Sequence, residues 1–206
     1  MLCTAFSGRK QIASGALVEV ALKVKEVLGR DDHSQALIFD DVTSELIEVD
    51  FRGTPAQVAK RLERMAGDSK NTQSSPVEAE TAKRPGRPNL GVVAREVTLL
   101  PRHWDWLATQ PGGASAALRR LVEHARKANR GRDQLRRAQE SAYRFVSAMA
   151  GDEPGYEEAI RALFGGDPKR FAAMIEPWPP DVRRHAKKLA AAAFAGPSAA
   201  DQEESE

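Results

Sequence analysis

Between Lys83 and Lys127 lie the side chains best suited to phosphate chemistry: Lys83, Arg84, Arg87, Arg95, Arg102, Arg119, Arg120, Arg126 and Lys127. Basic groups displace condensed counterions from phosphates, and the planar fork of an arginine matches two phosphate oxygens at once. The surplus is local. Lys plus Arg against Asp plus Glu runs 10 to 13 over residues 1–80, 14 to 5 over 81–144 and 7 to 11 over 145–206, although the whole chain carries a formal net charge of only +2. Such a confined excess is the footprint of a nucleic-acid partner, and equally of a solvated helix face.

Other reactive residue types are present without the spacing that catalysis requires. Asp40, Asp41 and Asp50 could act as metal ligands or general bases, but Asp also forms turns by bonding its own backbone, and these three flank turn sequences. His33, His103, His124 and His185 are scattered, with no short ligand spacing. The single cysteine, Cys3, can form no internal disulfide, which fits a reducing compartment. With no glycine-rich phosphate loop or nucleophile motif, no cofactor, metal or catalytic residue is expected, and the chain is not read as an enzyme.

The elements that must position the basic residues follow from periodicity, and the fold class expected is α+β. A small N-terminal α/β unit is expected over residues 1–66. Thr4–Phe6 and Gln11–Ala13 are short strands around the Ser7-Gly8-Arg9-Lys10 turn, and Leu17, Val20, Ala21, Val24 and Leu28 mark a helix ended by Gly29. Ala36–Asp40 and Leu46–Phe51 read as a hairpin with one buried face. Thr54 and Pro55 then start a helix burying Val58, Leu62 and Met65. Residues 67–82 are polar and read as a flexible linker that lets the N-terminal unit float.

Residues 83–130 hold a basic arm, a β-prone run from Arg95 to Leu100, a helix from Pro101, a Pro111-Gly112-Gly113 break and a second helix capped by Ser115. Trp104 and Leu107 are expected on the inner face of the first helix, and Leu118, Leu121, Val122 and Ala125 on that of the second. Over residues 131–195 further helices are expected to pack as a bundle, since short helices are not stable singly, with Trp178 as its hydrophobic plug. Residues 196–206 read as a disordered acidic tail. No apolar run is long enough to span a membrane, and residues 1–11 lack the core of a signal peptide, so a cytoplasmic protein is expected.

Three resemblances refine this. Arg84-Pro85-Gly86-Arg87-Pro88 resembles an AT-hook in Gly86, Arg87 and Pro88, with Pro85 where the family has arginine, which implies an arginine laid into an A·T-rich minor groove; Lys83, Arg84 and Arg87 are the DNA contacts expected of this arm. Arg95 to Lys127 resembles the ribbon-helix-helix family of DNA-binding dimers. That implies a strand paired between two subunits in the major groove, a phosphate at the second helix N-terminus, and DNA contacts from Arg95, Thr98, Arg102, Ser115, Arg119 and Arg120. A helix-turn-helix would use the same two helices and stays open. The phrases GRPNLGVVAREVTLLPRHWDWL, YRFVSAMAGDEPGYEEAIRALFGGD and DVRRHAKKLA, with DFRG at Asp50 to Gly53, resemble a bacterial family known as domain of unknown function number 2239. That family implies no catalytic residue.

The function expected is therefore a DNA-binding protein of bacterial regulator type, acting as a homodimer. The competing expectation is an interaction or scaffold module whose basic helix docks an unknown protein and binds no DNA.

Overall fold

In a computed structural model of the chain, the residues described are 1–29, 35–71 and 93–195. They form an α+β structure of three strands and seven helices: β1 (Leu2–Ser7), β2 (Lys10–Ala16), α1 (Leu17–Leu28), β3 (Ala36–Asp40), α2 (Pro55–Asn71), α3 (Pro101–Ala108), α4 (Gly113–Ala150), α5 (Tyr156–Phe164), α6 (Pro168–Met174) and α7 (Pro180–Phe194). The polypeptide divides into two compact units, one of Met1–Thr72 with Arg130–Glu206 and one of Gln73–Asn129.

The first unit is organised by its sheet, which has the order β2-β1-β3 with both pairings antiparallel. Successive strand side chains point to opposite faces, and here both faces are covered. Cys3, Ala5 and Ile38 pack with Val20 and Val24 of α1 on one side. Phe6 and Phe39 belong to the other side, in a cluster with Phe145 and Val146 of α4, Leu163 of α5, Phe171 of α6, and Val182 and Leu189 of α7. Trp178 closes that cluster, fully buried, with its indole N–H donated to the Pro154 carbonyl at 2.9 Å.

This shared core corrects the expected division into a domain at 1–66 and a separate bundle at 131–195. A sheet whose bundle-side face carries two phenylalanines cannot leave that face in water, and the C-terminal helices supply the cover. The α1 side of the sheet has its own N-terminal clusters, and the opposite face shares one cluster with the C-terminal helices.

The hairpin after β3 also differs from expectation. Phe39 and Leu46 form an isolated antiparallel bridge and Ile47 N–H donates to Ile38 O at 2.8 Å, but no strand runs on to Phe51. The carbonyls that would extend the ladder are taken by side chains instead. Lys25 Nζ bonds Phe51 O at 2.6 Å, and Arg61 Nη2 bonds Asp50 O at 2.6 Å and Arg52 O at 2.5 Å. Ile47, Val49 and Phe51 keep their alternation and still pack toward the α1 side of the sheet.

Two expected breaks are absent. α2 runs through Gly67 to Asn71, so the first residues assigned to the linker are helical; the remainder of 67–82 lies outside the described residues. α4 is one helix of 38 residues where two were expected, so residue 130 is no boundary in secondary structure. Gly131 alone costs a helix only about 1 kcal/mol relative to alanine, and the arginines and glutamine around it are good helix formers. The acidic tail at 196–206 lies outside the described residues.

Candidate nucleic-acid interface

Within the second unit the described residues are Val93 to Asn129, comprising α3 and the N-terminal part of α4. Pro101 sits at the first position of α3, where its fixed φ suits a helix and its missing N–H costs nothing. The turn to α4 depends on Gly112 and Gly113, with φ of 81° and 76°, a left-handed backbone that a residue with a Cβ rarely adopts. Arg120 Nη2 folds back onto this turn and bonds Pro111 O at 3.1 Å.

α4 begins at Gly113, two residues before Ser115, so Ser115 is an exposed residue of the first turn and not the cap that was expected. Arg95 to Leu100 belongs to no strand, and among the described residues no backbone group from Arg95 to Leu99 has a hydrogen-bond partner. Arg95, Thr98, Arg102, Arg119 and Arg120 are all exposed. Lys83, Arg84 and Arg87 of the expected minor-groove arm lie outside the described residues.

Of the apolar positions expected inward in this unit, Leu107 is buried and Leu118 half-buried, and the others are exposed. Only Leu107 and Ala117 are buried among its described residues. Trp104, Trp106, Leu121 and Val122 are exposed, Trp106 and Val122 to 50% and 56%. Leu118, Leu121, Val122 and Ala125 recur at three- and four-residue spacing and so share one face of α4. Arg119, Arg120, Arg126 and Lys127 fall on the remaining surface, where Glu123 pairs with Arg126 at 3.1 Å. The helix thus carries an apolar stripe whose Leu121, Val122 and Ala125 are exposed among the described residues, with Arg119 and Arg126 flanking it and Arg120 and Lys127 on the opposite side. The signal for the first lay in the sequence, but periodicity shows that a face is apolar and not what covers it.

Two polar clusters of the first unit were not anticipated. In one, the Thr4 hydroxyl, fully buried, donates to Asp41 Oδ1 at 2.6 Å, which leaves Ser14 to donate to Thr4 at 3.0 Å; Lys188 Nζ bonds Asp41 Oδ2 at 2.9 Å. Burial pushes the Asp41 carboxyl up, but the hydrogen bonds of Thr4 and Lys188 and the Lys188 charge outweigh it and leave it below its ordinary value. His185, 4% exposed, stands beside this chain with its ring against Phe6 and Phe145, and its Nε2 has no hydrogen-bond partner. Burial, and then the Lys188 charge, hold its pKa down at about 4, so the imidazole is neutral. Burial and the neighbouring Asp41 and Asp40 charges push the Cys3 thiol up to about 11, which makes it unreactive. Asp40 is a turn former, its Oδ1 accepting from the Val42 and Thr43 amides at 2.8 Å each.

The second cluster lines an open concavity of about 540 Å³ between the 50–54 loop and α2, formed by Asp50, Arg52, Gly53, Gln57, Lys60, Arg61 and Arg64. Arg52 bonds both oxygens of Asp50, at 2.9 and 3.1 Å, and this pairing holds the Asp50 carboxyl down at about 2. Lys60, Arg61 and Arg64 lie three or four residues from one another or side by side, the signature of one basic helix face.

No helix among the described residues is long and apolar enough to cross a membrane. No curated protein and no solved structure matches the chain. A family model described as an uncharacterized protein conserved in bacteria matches residues 2–190, thereby taking in both clusters, the sheet and the basic helix, and the chain belongs to that family, DUF2239.

Proposed function

We propose that the protein binds DNA as a homodimer, in the manner of a bacterial regulator. The observation that carries this is the apolar stripe of α4 within the second unit, half-buried Leu118 with exposed Leu121, Val122 and Ala125, beside the exposed basic residues Arg119, Arg120, Arg126 and Lys127. Exposed Leu121 and Val122, with Trp104 and Trp106 nearby in sequence, are the residues that a second copy would cover; isolated surface apolar residues need no such explanation, but a repeating helical face does. Pairing through the apolar stripes leaves Arg120 and Lys127 of both copies outward and Arg119 and Arg126 at the rim, where they add on a polyanion. The backbone from Arg95 to Leu99, without partners among the described residues, is then available to pair with its twin as in a ribbon-helix-helix dimer.

The test is titration of a fluorescent duplex at low and physiological salt, with solution mass recorded. Wild type is expected to be a dimer whose log affinity falls linearly with log salt. Arg119→Ala/Arg126→Ala should flatten that slope by roughly 0.9 for each phosphate no longer neutralised. Leu121→Glu/Val122→Glu should yield a monomer with weakened binding. A dimer that ignores DNA at low salt would instead make the basic face a docking surface for an acidic protein.

A further inference from the structure

The concavity between the 50–54 loop and α2 gathers four cationic side chains, Arg52, Lys60, Arg61 and Arg64, around one carboxylate, Asp50. That carboxylate is already engaged, by Arg52 in two hydrogen bonds and by Arg61 at 3.8 Å. Lys60 and Arg64 have no carboxylate partner among the described residues. A surplus of three positive charges facing one recess repels itself and focuses the field there, and an anion seated in it relieves both effects.

The recess is built and not incidental. Arg61 is pinned by two backbone carbonyls, Asp50 O at 2.6 Å and Arg52 O at 2.5 Å, so its guanidinium is held before any ligand arrives and little rotamer freedom remains to be lost on binding. Thr54 and Gln57 close a capping box at the start of α2, Thr54 N–H donating to Gln57 Oε1 at 2.8 Å and Gln57 N–H to Thr54 Oγ1 at 3.3 Å. Gly53 has φ of 87°, a left-handed backbone that a residue with a Cβ rarely adopts, so this loop conformation favours glycine. The positive end of the α2 dipole adds to the same field. Among the described residues the lining holds no aromatic ring and no large apolar side chain that would stack on a base or bury a lipid tail.

We propose that this recess is a binding site for phosphate groups carrying about three negative charges, held by Arg52, Lys60, Arg61 and Arg64. The site is independent of the DNA-binding reading of the second unit. Phosphates of this charge come from two sources, a free polyphosphate compound or the backbone of a nucleic acid, and the chemistry of recognition is the same.

Calorimetric titration of the full chain with sodium pyrophosphate, at constant ionic strength set with chloride, tests it. Saturable binding is expected, weakened at least tenfold in Lys60→Ala/Arg64→Ala. Both residues are exposed, so an unchanged thermal midpoint will show that this variant is folded. Absence of saturable binding by the wild type, or equal affinity in the folded double variant, would overturn the proposal. A parallel duplex titration separates the sources. Pyrophosphate competing with duplex, and duplex binding lost in Lys60→Ala/Arg64→Ala, assigns the site to the nucleic-acid backbone; duplex binding indifferent to both assigns it to a free polyphosphate. Arg119→Ala/Arg126→Ala should leave the pyrophosphate affinity unchanged, which keeps this outcome apart from that of the DNA-binding proposal.

Discussion

The Phe6 and Phe145 rings lie 5.4 Å apart, one in the first strand of the chain and the other near the end of α4. Phe39 stands 6.2 Å from Phe6 and 5.2 Å from Phe145, each edge to face, so three aromatic rings from three distant segments pack as one group. Such ring pairs contribute about 0.5–1.5 kcal/mol beyond their burial, and all three rings are also fully removed from water.

The first prediction follows from this. Phe145→Ala removes the ring that touches both Phe6 and Phe39, and should destabilise the protein by about 4 kcal/mol. Because the sheet and the C-terminal helices share that core, amide exchange in β1 and in α7 should accelerate together. Protection retained in β1 while α7 loses it would mean two independently folding domains.

A second prediction concerns the hydroxyls of Ser44 and Ser141, bonded to each other at 2.9 Å while both residues are buried. Ser44 has a φ of 54°, and Arg144 Nη1 donates to the adjacent Thr43 carbonyl at 2.9 Å, so α4 grips the turn after β3 from two sides. Ser141→Ala strands the Ser44 hydroxyl without a partner and should cost about 1–2 kcal/mol. Ser44→Ala/Ser141→Ala should cost less than the sum of the single changes by about 1 kcal/mol in urea unfolding. Strict additivity would show that the bond contributes nothing.

The third prediction is a dependence on pH. The groups facing His185 are Phe6 and Phe145, with the charges of Lys188, Asp41 and Arg184 close by. Its folded pKa of about 4 lies below the ordinary 6.5, so the unfolded chain binds the extra proton first as pH falls. Stability should therefore decline between pH 6.5 and 4, by about 2 kcal/mol on reaching pH 5. Asp41, depressed below its ordinary 3.8, begins to lose its contribution only under that value and leaves this window to the histidine. In His185→Phe the ring sits among phenylalanines without a proton to gain, and the midpoint of urea unfolding should stay level from pH 7 to 5. A slope equal to the wild type would reject the assignment.

What local sequence determined was the identity of most elements and the residues that start and stop them. The apolar spacing from Leu17 to Leu28 and the terminating Gly29, the Thr54-Pro55 start of α2, the Asp167-Pro168 start of α6 and the turn-forming role of Asp40 all act within a few residues, where backbone sterics and short-range hydrogen bonds decide the outcome. The basic surplus of the middle third was legible in the same way, because charge can be counted without a fold.

Tertiary structure decided everything that depends on partners far along the chain. Thr4 and Phe6 look like ordinary strand residues until α4 and α7 cover that face, and this is why an N-terminal unit expected to float is joined to the C-terminal helices. Leu46 to Phe51 alternates as a strand should, yet the carbonyls of Asp50, Phe51 and Arg52 are claimed by Arg61 and Lys25 from neighbouring helices, a competition no local pattern records. The basic recess involves that same competition, since Arg61, folded back onto the loop carbonyls of Asp50 and Arg52, lines it together with Arg52, Lys60 and Arg64. Periodicity tells which residues share a face; which faces meet is set by the burial free energy of the whole chain, and only the folded chain displays it.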